Sequence, residues 1–170
     1  LGTYRVYLGS SFGDTTSSSA YLCGEVDAPP EAGPFTTSCG GTTGRTFVTI
    51  MQTGAARLFS IADVQICAVS APSSPPLSPA PSPPPSPPLL APSVPPPPPC
   101  GVPRLGAQLS SLWSGYSASA IIDDSQDTIV VSSWPPVENT WASIQIPPGL
   151  AVGSVDVFNR LGGAQYQAWL

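Results

Sequence analysis

The chain contains no histidine and no lysine. Without histidine it lacks the usual general base and the commonest metal ligand. Without lysine it has no Schiff-base amine and no phosphate-loop lysine. Charge of either sign is scarce. Only 9% of the 170 residues are charged, five arginines against ten acids, for a net charge of −5. No basic patch is available, which argues against nucleic acid as a partner. No apolar run approaches the roughly 18 residues of a membrane span. No signal peptide opens the sequence, so it reads as a mature or excised piece. Asn139 and Asn159 both fail the Asn-x-Ser/Thr pattern, so any glycan is expected to be O-linked. Most enzyme classes are poor fits, and the expectation is a protein without catalytic activity.

Proline is what the chain has in excess, 24 residues in all. Sixteen of them lie in residues 72–99: Pro72, Pro75, Pro76, Pro79, Pro81, Pro83, Pro84, Pro85, Pro87, Pro88, Pro92, Pro95, Pro96, Pro97, Pro98 and Pro99. Proline lacks a backbone donor and restricts the residue before it, so this tract is neither helix nor central strand. It is expected to be polyproline II, which at about 3.1 Å per residue reaches on the order of 85 Å. A stiff interdomain spacer, a ligand for a proline-recognition module and a glycosylated rod all fit that expectation.

The tract divides the chain into residues 1–69, a linker over 70–100, and residues 101–170. Both flanks read as β. Alternation or dense β-formers mark residues 4–8, 46–51, 59–66, 128–131, 143–146 and 154–158, with Gly, Ser, Thr, Asn and Pro between them. No stretch holds a helical period, so the expected class is all-β, sandwich or barrel. Each flank has few apolar positions for a core of its own. Two organisations fit. The flanks are two small domains, or they are two halves of one domain of common size. In the second case the chain is one period of a tandem array cut in mid-domain.

Four cysteines stand at 23, 39, 67 and 100, with no CxxC. Zinc or thioredoxin-like chemistry is therefore not expected, and an even count reads as two disulfides in an oxidising compartment. Cys23 and Cys39 fall in one loop-rich segment and are expected to pair. Closing about 16 residues is worth roughly 3 kcal/mol in the chain-entropy model. Cys67 and Cys100 flank the tract and meet within one chain only if it folds back. Asp123, Asp124 and Asp127 crowd one turn, with Ser132 and Ser133 following. Three carboxylates in five residues repel unless a cation or solvent screens them. The turn is either a solvated surface or part of a hard-cation site. A glycosidase-type carboxylate pair has no other support. Trp141 reads as core and Trp134, before two prolines, as exposed. The low positive charge argues against an anionic membrane surface for that tryptophan.

The segments LSSLWSGYSASAIIDDSQDT, NTWASIQI and VGSVDVFNR resemble the first half of a discoidin-like domain, the coagulation-factor type C and F-type lectin superfamily. YRVYLGSS, the two cysteines before GRTFVTI, and RLFSIADVQI resemble its second half. The family order is met with the halves transposed around the proline tract. The resemblance implies a jelly-roll sandwich, with residues 101–170 packing on residues 1–69 of the next copy. A bridge that ties the two ends of one such domain would join Cys67 to the Cys100 of the preceding copy. The family's oxygen cluster implies calcium at Asp63, Asp124, Asp127 and Ser133, although Asp124 stands where the family has Gly. Of the family's fucose-binding groups only Arg160 matches. Gly162 and Gln167 replace the acid and the second cation, and the histidine position falls near Pro135.

The SPP and SPPPSPP blocks resemble the hydroxyproline-rich glycoproteins of green algae and plants. That resemblance implies hydroxylation and arabinose- or galactose-type O-glycans on the sixteen tract prolines and on Ser78, Ser82 and Ser86. It also implies an extracellular place, in a wall, matrix or flagellar surface. The reading is a structural bead-and-rod glycoprotein whose partners are copies of itself. The alternative is a lectin-like adhesion module on a stalk, with glycans as partners.

Overall fold

The computed structural model describes residues 2–28, 33–69 and 100–160. It is all-β. Among the described residues ten strands run β1 Gly2–Gly9, β2 Tyr21–Ala28, β3 Phe35–Thr42, β4 Phe47–Gln52, β5 Ser60–Ile61, β6 Asp63–Ala68, β7 Gly106–Leu109, β8 Val130–Val131, β9 Trp141–Gln145 and β10 Val152–Phe158. One short 3₁₀ turn, Ala118–Ile122, precedes β8. A five-stranded sheet has the order β2-β1-β4-β9-β7 and a three-stranded sheet the order β3-β10-β6, while β5 pairs with β8. All pairs are antiparallel.

The alternation of β1 is the clearest link from sequence to packing. Tyr4, Val6 and Leu8 are fully buried, with Val48 and Ile50 of β4 and Ala142 and Ile144 of β9 beside them. Val64 and Ile66 of β6, and Val155 and Val157 of β10, belong to the same hydrophobic cluster. The two main sheets therefore share one core. Burying a side chain of this kind stabilises by roughly 1.5–3 kcal/mol.

That core is built from both flanks of one chain. Thr49 of β4 faces Ser143 of β9. Strand β10, from the second flank, lies between β3 and β6 of the first. The sequence expectation paired each flank with a neighbouring copy; here the two flanks pair with each other. Strand β10 fills the gap between β3 and β6, which would otherwise each present an unpaired edge there.

Each open side of the two-sheet stack carries a disulfide. On one side β2 and β3 are the edge strands, and Cys23–Cys39 joins them with an S–S distance of 2.01 Å. On the other side residues 100–105 cross from one sheet to the other. Val102 N–H donates to the Ile66 carbonyl at 3.2 Å, and Leu105 N–H to the Gln145 carbonyl at 2.8 Å. Cys67–Cys100 closes this side, with Cα atoms 4.0 Å apart. Sequence reasoning placed these two cysteines in different beads. The backbone bridge between them brings the two roots of the tract to one point.

The expected strand over 59–66 is broken at Ala62, whose N–H donates to the Phe158 carbonyl at 2.9 Å. Residues 10–20 fold against the outer face of the larger sheet. Phe12 meets Phe47 edge-on at 4.7 Å. Gly13 lies against the Trp141 ring, where a Cβ would come within 2.4 Å of it. Trp141 is thus half-buried on that outer face, not in the core.

Candidate functional site

The carboxylates that the sequence marked for a cation converge on an arginine. Asp63 opens β6 and is 1% exposed. Arg104 lies on the crossing segment and points its guanidinium back. Its Nη1 donates to Asp63 Oδ1 at 2.9 Å and to the Val64 carbonyl at 2.6 Å. Its Nη2 donates to Asp124 Oδ1. Burial pushes the Asp63 carboxyl above its ordinary range, and Arg104, the Val64 N–H and Gln65 pull it back. The arginine side chain is 8% exposed, whereas that of Asp124 is 77% exposed.

Local sequence explains how Asp124 reaches the arginine. The Ser117 hydroxyl accepts from Ser119 N–H and opens the 3₁₀ turn, which buries Ile121. The Asp123 carboxylate closes the following turn, accepting from Ser125 N–H at 3.0 Å and from the Thr128 hydroxyl at 2.8 Å. Asp124 then takes a left-handed conformation, φ 60°. Asp tolerates this region better than most residues.

Of the four residues marked for calcium, the structure joins Asp63 and Asp124 through Arg104. Asp127 is exposed, and its N–H donates to Ser125 Oγ at 3.2 Å. Ser133 is half-buried beside Ser132, whose hydroxyl accepts from Phe59 N–H at 3.0 Å. The positive charge between Asp63 and Asp124 is a guanidinium, and a calcium ion bound by both carboxylates would have to displace it. Sequence reasoning missed Arg104. The available signal was its rarity, one of five cations in a chain with ten acids.

Arg160 follows the buried Asn159, and its backbone N–H donates to Asn159 Oδ1 at 3.0 Å. Gly162 and Gln167, the other positions compared with the fucose motif, lie outside the described residues. So do all sixteen tract prolines and Ser78, Ser82 and Ser86.

A second carboxylate stands beside the disulfide at the tract roots. Asp156 Oδ2 is 3.7 Å from Cys67 Sγ. Cys67, Cys100 and Asp156 are close enough to hold a metal ion. With the two sulfurs bonded to each other, neither is the thiolate such a site needs. Nearby, burial pushes the Tyr4 phenol well above its usual range, Thr37 opposes this, and Asp156 adds to it.

At the end of the sandwich where β9 begins, two loops carry apolar side chains into solvent. Leu112, Trp113 and Tyr116 are on one, Trp134 and Val137 on the other. Trp113 N–H donates to the Val131 carbonyl at 2.9 Å, which holds the loops together. The expectation that Trp134 is exposed fits its 60% accessibility.

Searches with protein-family models, with curated proteins and with solved structures find no match to this chain. No helix among the described residues is long and apolar enough to cross a membrane. Two disulfides are compatible with an extracellular or secreted protein.

Proposed function

We propose that the chain is a structural extracellular module without catalytic activity: a disulfide-locked β-bead of the discoidin-like jelly-roll kind that carries an O-glycosylated, hydroxyproline-rich tract. The observation that carries this reading is the bond between Cys67 and Cys100 at the roots of the tract. A pulling or shearing load on the tract enters the bead at a covalent staple, backed by hydrogen bonds from Gly101 and Val102 to the Ile66 carbonyl. The thirty residues 70–99 thus begin and end beside this staple, and they lie outside the described residues. Glycans on such a tract would keep its backbone extended and shielded from proteases, and copies of the chain would form the fibre, wall or surface assembly. The buried Asp63–Arg104 pair belongs to the bead's framework, so the reading needs no calcium.

Peptide mass spectrometry of the native protein tests this. Hydroxyproline with pentose or hexose chains is expected across residues 72–99, and unmodified proline throughout would overturn the reading. A lectin-like adhesion module is the second reading, favoured by exposed Trp113, Tyr116 and Trp134 on neighbouring loops. Tight, sugar-specific binding on a glycan array, lost in Trp134→Ala, would replace the structural reading with this one.

A further inference from the structure

Strand order makes each flank the complement of the other. The first flank supplies β3 and β6 with a gap between them, and only β10 of the second flank fills it. The larger sheet is likewise cut between β4 and β9. Nothing in these pairings requires the two flanks to come from one polypeptide. The chain connection between them, residues 70–99, must leave Val69 and return to Cys100, whose Cα lies 4.0 Å from that of Cys67. A segment so rich in proline is semi-rigid, at about 3.1 Å per residue. A stiff linker that must double back lowers the effective concentration of one flank for the other.

We propose that this chain exchanges halves with a second copy of itself. Residues 100–160 of one copy complete the sheets of residues 2–69 of another, and Cys67 of one copy is bonded to Cys100 of the other. Every strand pair and both disulfides of each bead are kept in the exchanged form. Its tract runs between two beads instead of looping back onto one. An unfilled gap beside β3 and β6 pairs with whichever copy supplies β10. Reciprocal exchange closes as a dimer, and serial exchange grows an open chain of beads. The proposal rests on strand order and on the position of the cysteines, and it holds whether or not the tract is glycosylated.

Isotope mixing tests it on the full chain. Light and heavy-isotope chains are mixed, reduced, unfolded and refolded in a glutathione redox pair at rising protein concentration. The expected result is Cys67–Cys100 peptides of mixed isotope, climbing toward about half of the total at random exchange. Cys23–Cys39 peptides stay unmixed, because both cysteines lie in one flank. Oligomers that reduction and unfolding return to monomer should accompany the mixed peptides. An unmixed Cys67–Cys100 bridge in a monomer at every concentration would overturn the proposal. A second arm replaces residues 70–99 with a Gly/Ser segment of equal length. The mixed fraction should fall several-fold, and an unchanged fraction would overturn the role assigned to linker stiffness.

Discussion

Replacing Arg104 with methionine tests whether the convergence on Asp63 is a framework pair. Methionine keeps much of the apolar stem and removes the guanidinium. The exposed contact with Asp124 is worth little, about 0–1 kcal/mol, because water screens it. The contact with Asp63 is different, since that carboxylate is 1% exposed and would be left buried without its cation. Breaking such a pair costs about 3–5 kcal/mol. For a domain of this size that lowers the unfolding midpoint by roughly 10 °C. The pH dependence gives a second signature. Burial already raises the folded Asp63 carboxyl above its ordinary range, and Arg104 opposes that rise. Where the folded pKa is raised, the native state binds more protons than the unfolded one, so stability falls as pH rises through the window above the ordinary Asp value. Arg104→Met widens this window, and its deficit should shrink as pH is lowered from 7 toward 5. Urea unfolding followed by tryptophan fluorescence reads both effects. Asp63→Asn in the Arg104→Met background should recover part of the loss, because the amide carries no charge to bury. A variant within about 1 kcal/mol of the parent, with no pH-dependent recovery, would refute the reasoning.

Other outcomes follow from the same contacts. Gly13→Ala would drive a Cβ into the Trp141 ring at a backbone φ of 69°, and should cost on the order of 1–3 kcal/mol in thermal unfolding. A substitution without effect would show that residues 10–20 do not pack on that face. The Asp14 carboxylate is held well below its usual range by the Ser17 hydroxyl, the Ser10 N–H and the Ser19 hydroxyl, against some burial. Its contribution is present above the unfolded value and is lost as pH falls through the folded one. Acid titration of Asp14→Asn should therefore show a smaller loss of stability than the parent below about pH 4. Calcium and chelator should leave the unfolding midpoint unchanged. A real site at a hundredfold excess over its Kd would add about 2.7 kcal/mol, and a shift abolished by Asp127→Ala would contradict the framework assignment.

The parts of the fold legible in the sequence are those where one face is apolar and the other polar. Strand β1 is the best case, since half-buried Thr3 and Arg5 alternate with buried Tyr4, Val6 and Leu8, although Tyr7 on the other face is buried as well. Strands β2 and β3 carried no such signal. They read YLCGEVDA and FTTSCGGT, half-exposed edge strands whose place is fixed by Cys23–Cys39. Strand β7, at the far edge of the larger sheet, has one buried residue, Leu109, and too little apolar pattern to detect. At the candidate site, Asp124 was marked by the crowding of carboxylates in its turn, and Asp63 only by the family resemblance. Their partner was hidden because Arg104 is distant from both in sequence and sits in an irregular crossing segment. The meeting of Cys67 and Cys100 was hidden for the opposite reason. The stiffness expected of the proline tract argued for separation, whereas Cys67 and Cys100 pair across a backbone bridge and a disulfide.

Excision of the tract tests most directly whether the bead is a closed unit made by both flanks, with the tract external to it. Joining Val69 to Cys100 through a linker of about four residues is feasible, because the roots already lie together. The account predicts that Cys23–Cys39 and Cys67–Cys100 both form and that unfolding stays cooperative. The midpoint should lie within about 3 °C of the parent's or above it, since a shorter loop costs slightly less to close. Loss of the Cys67–Cys100 bond, or of cooperative unfolding, would contradict it.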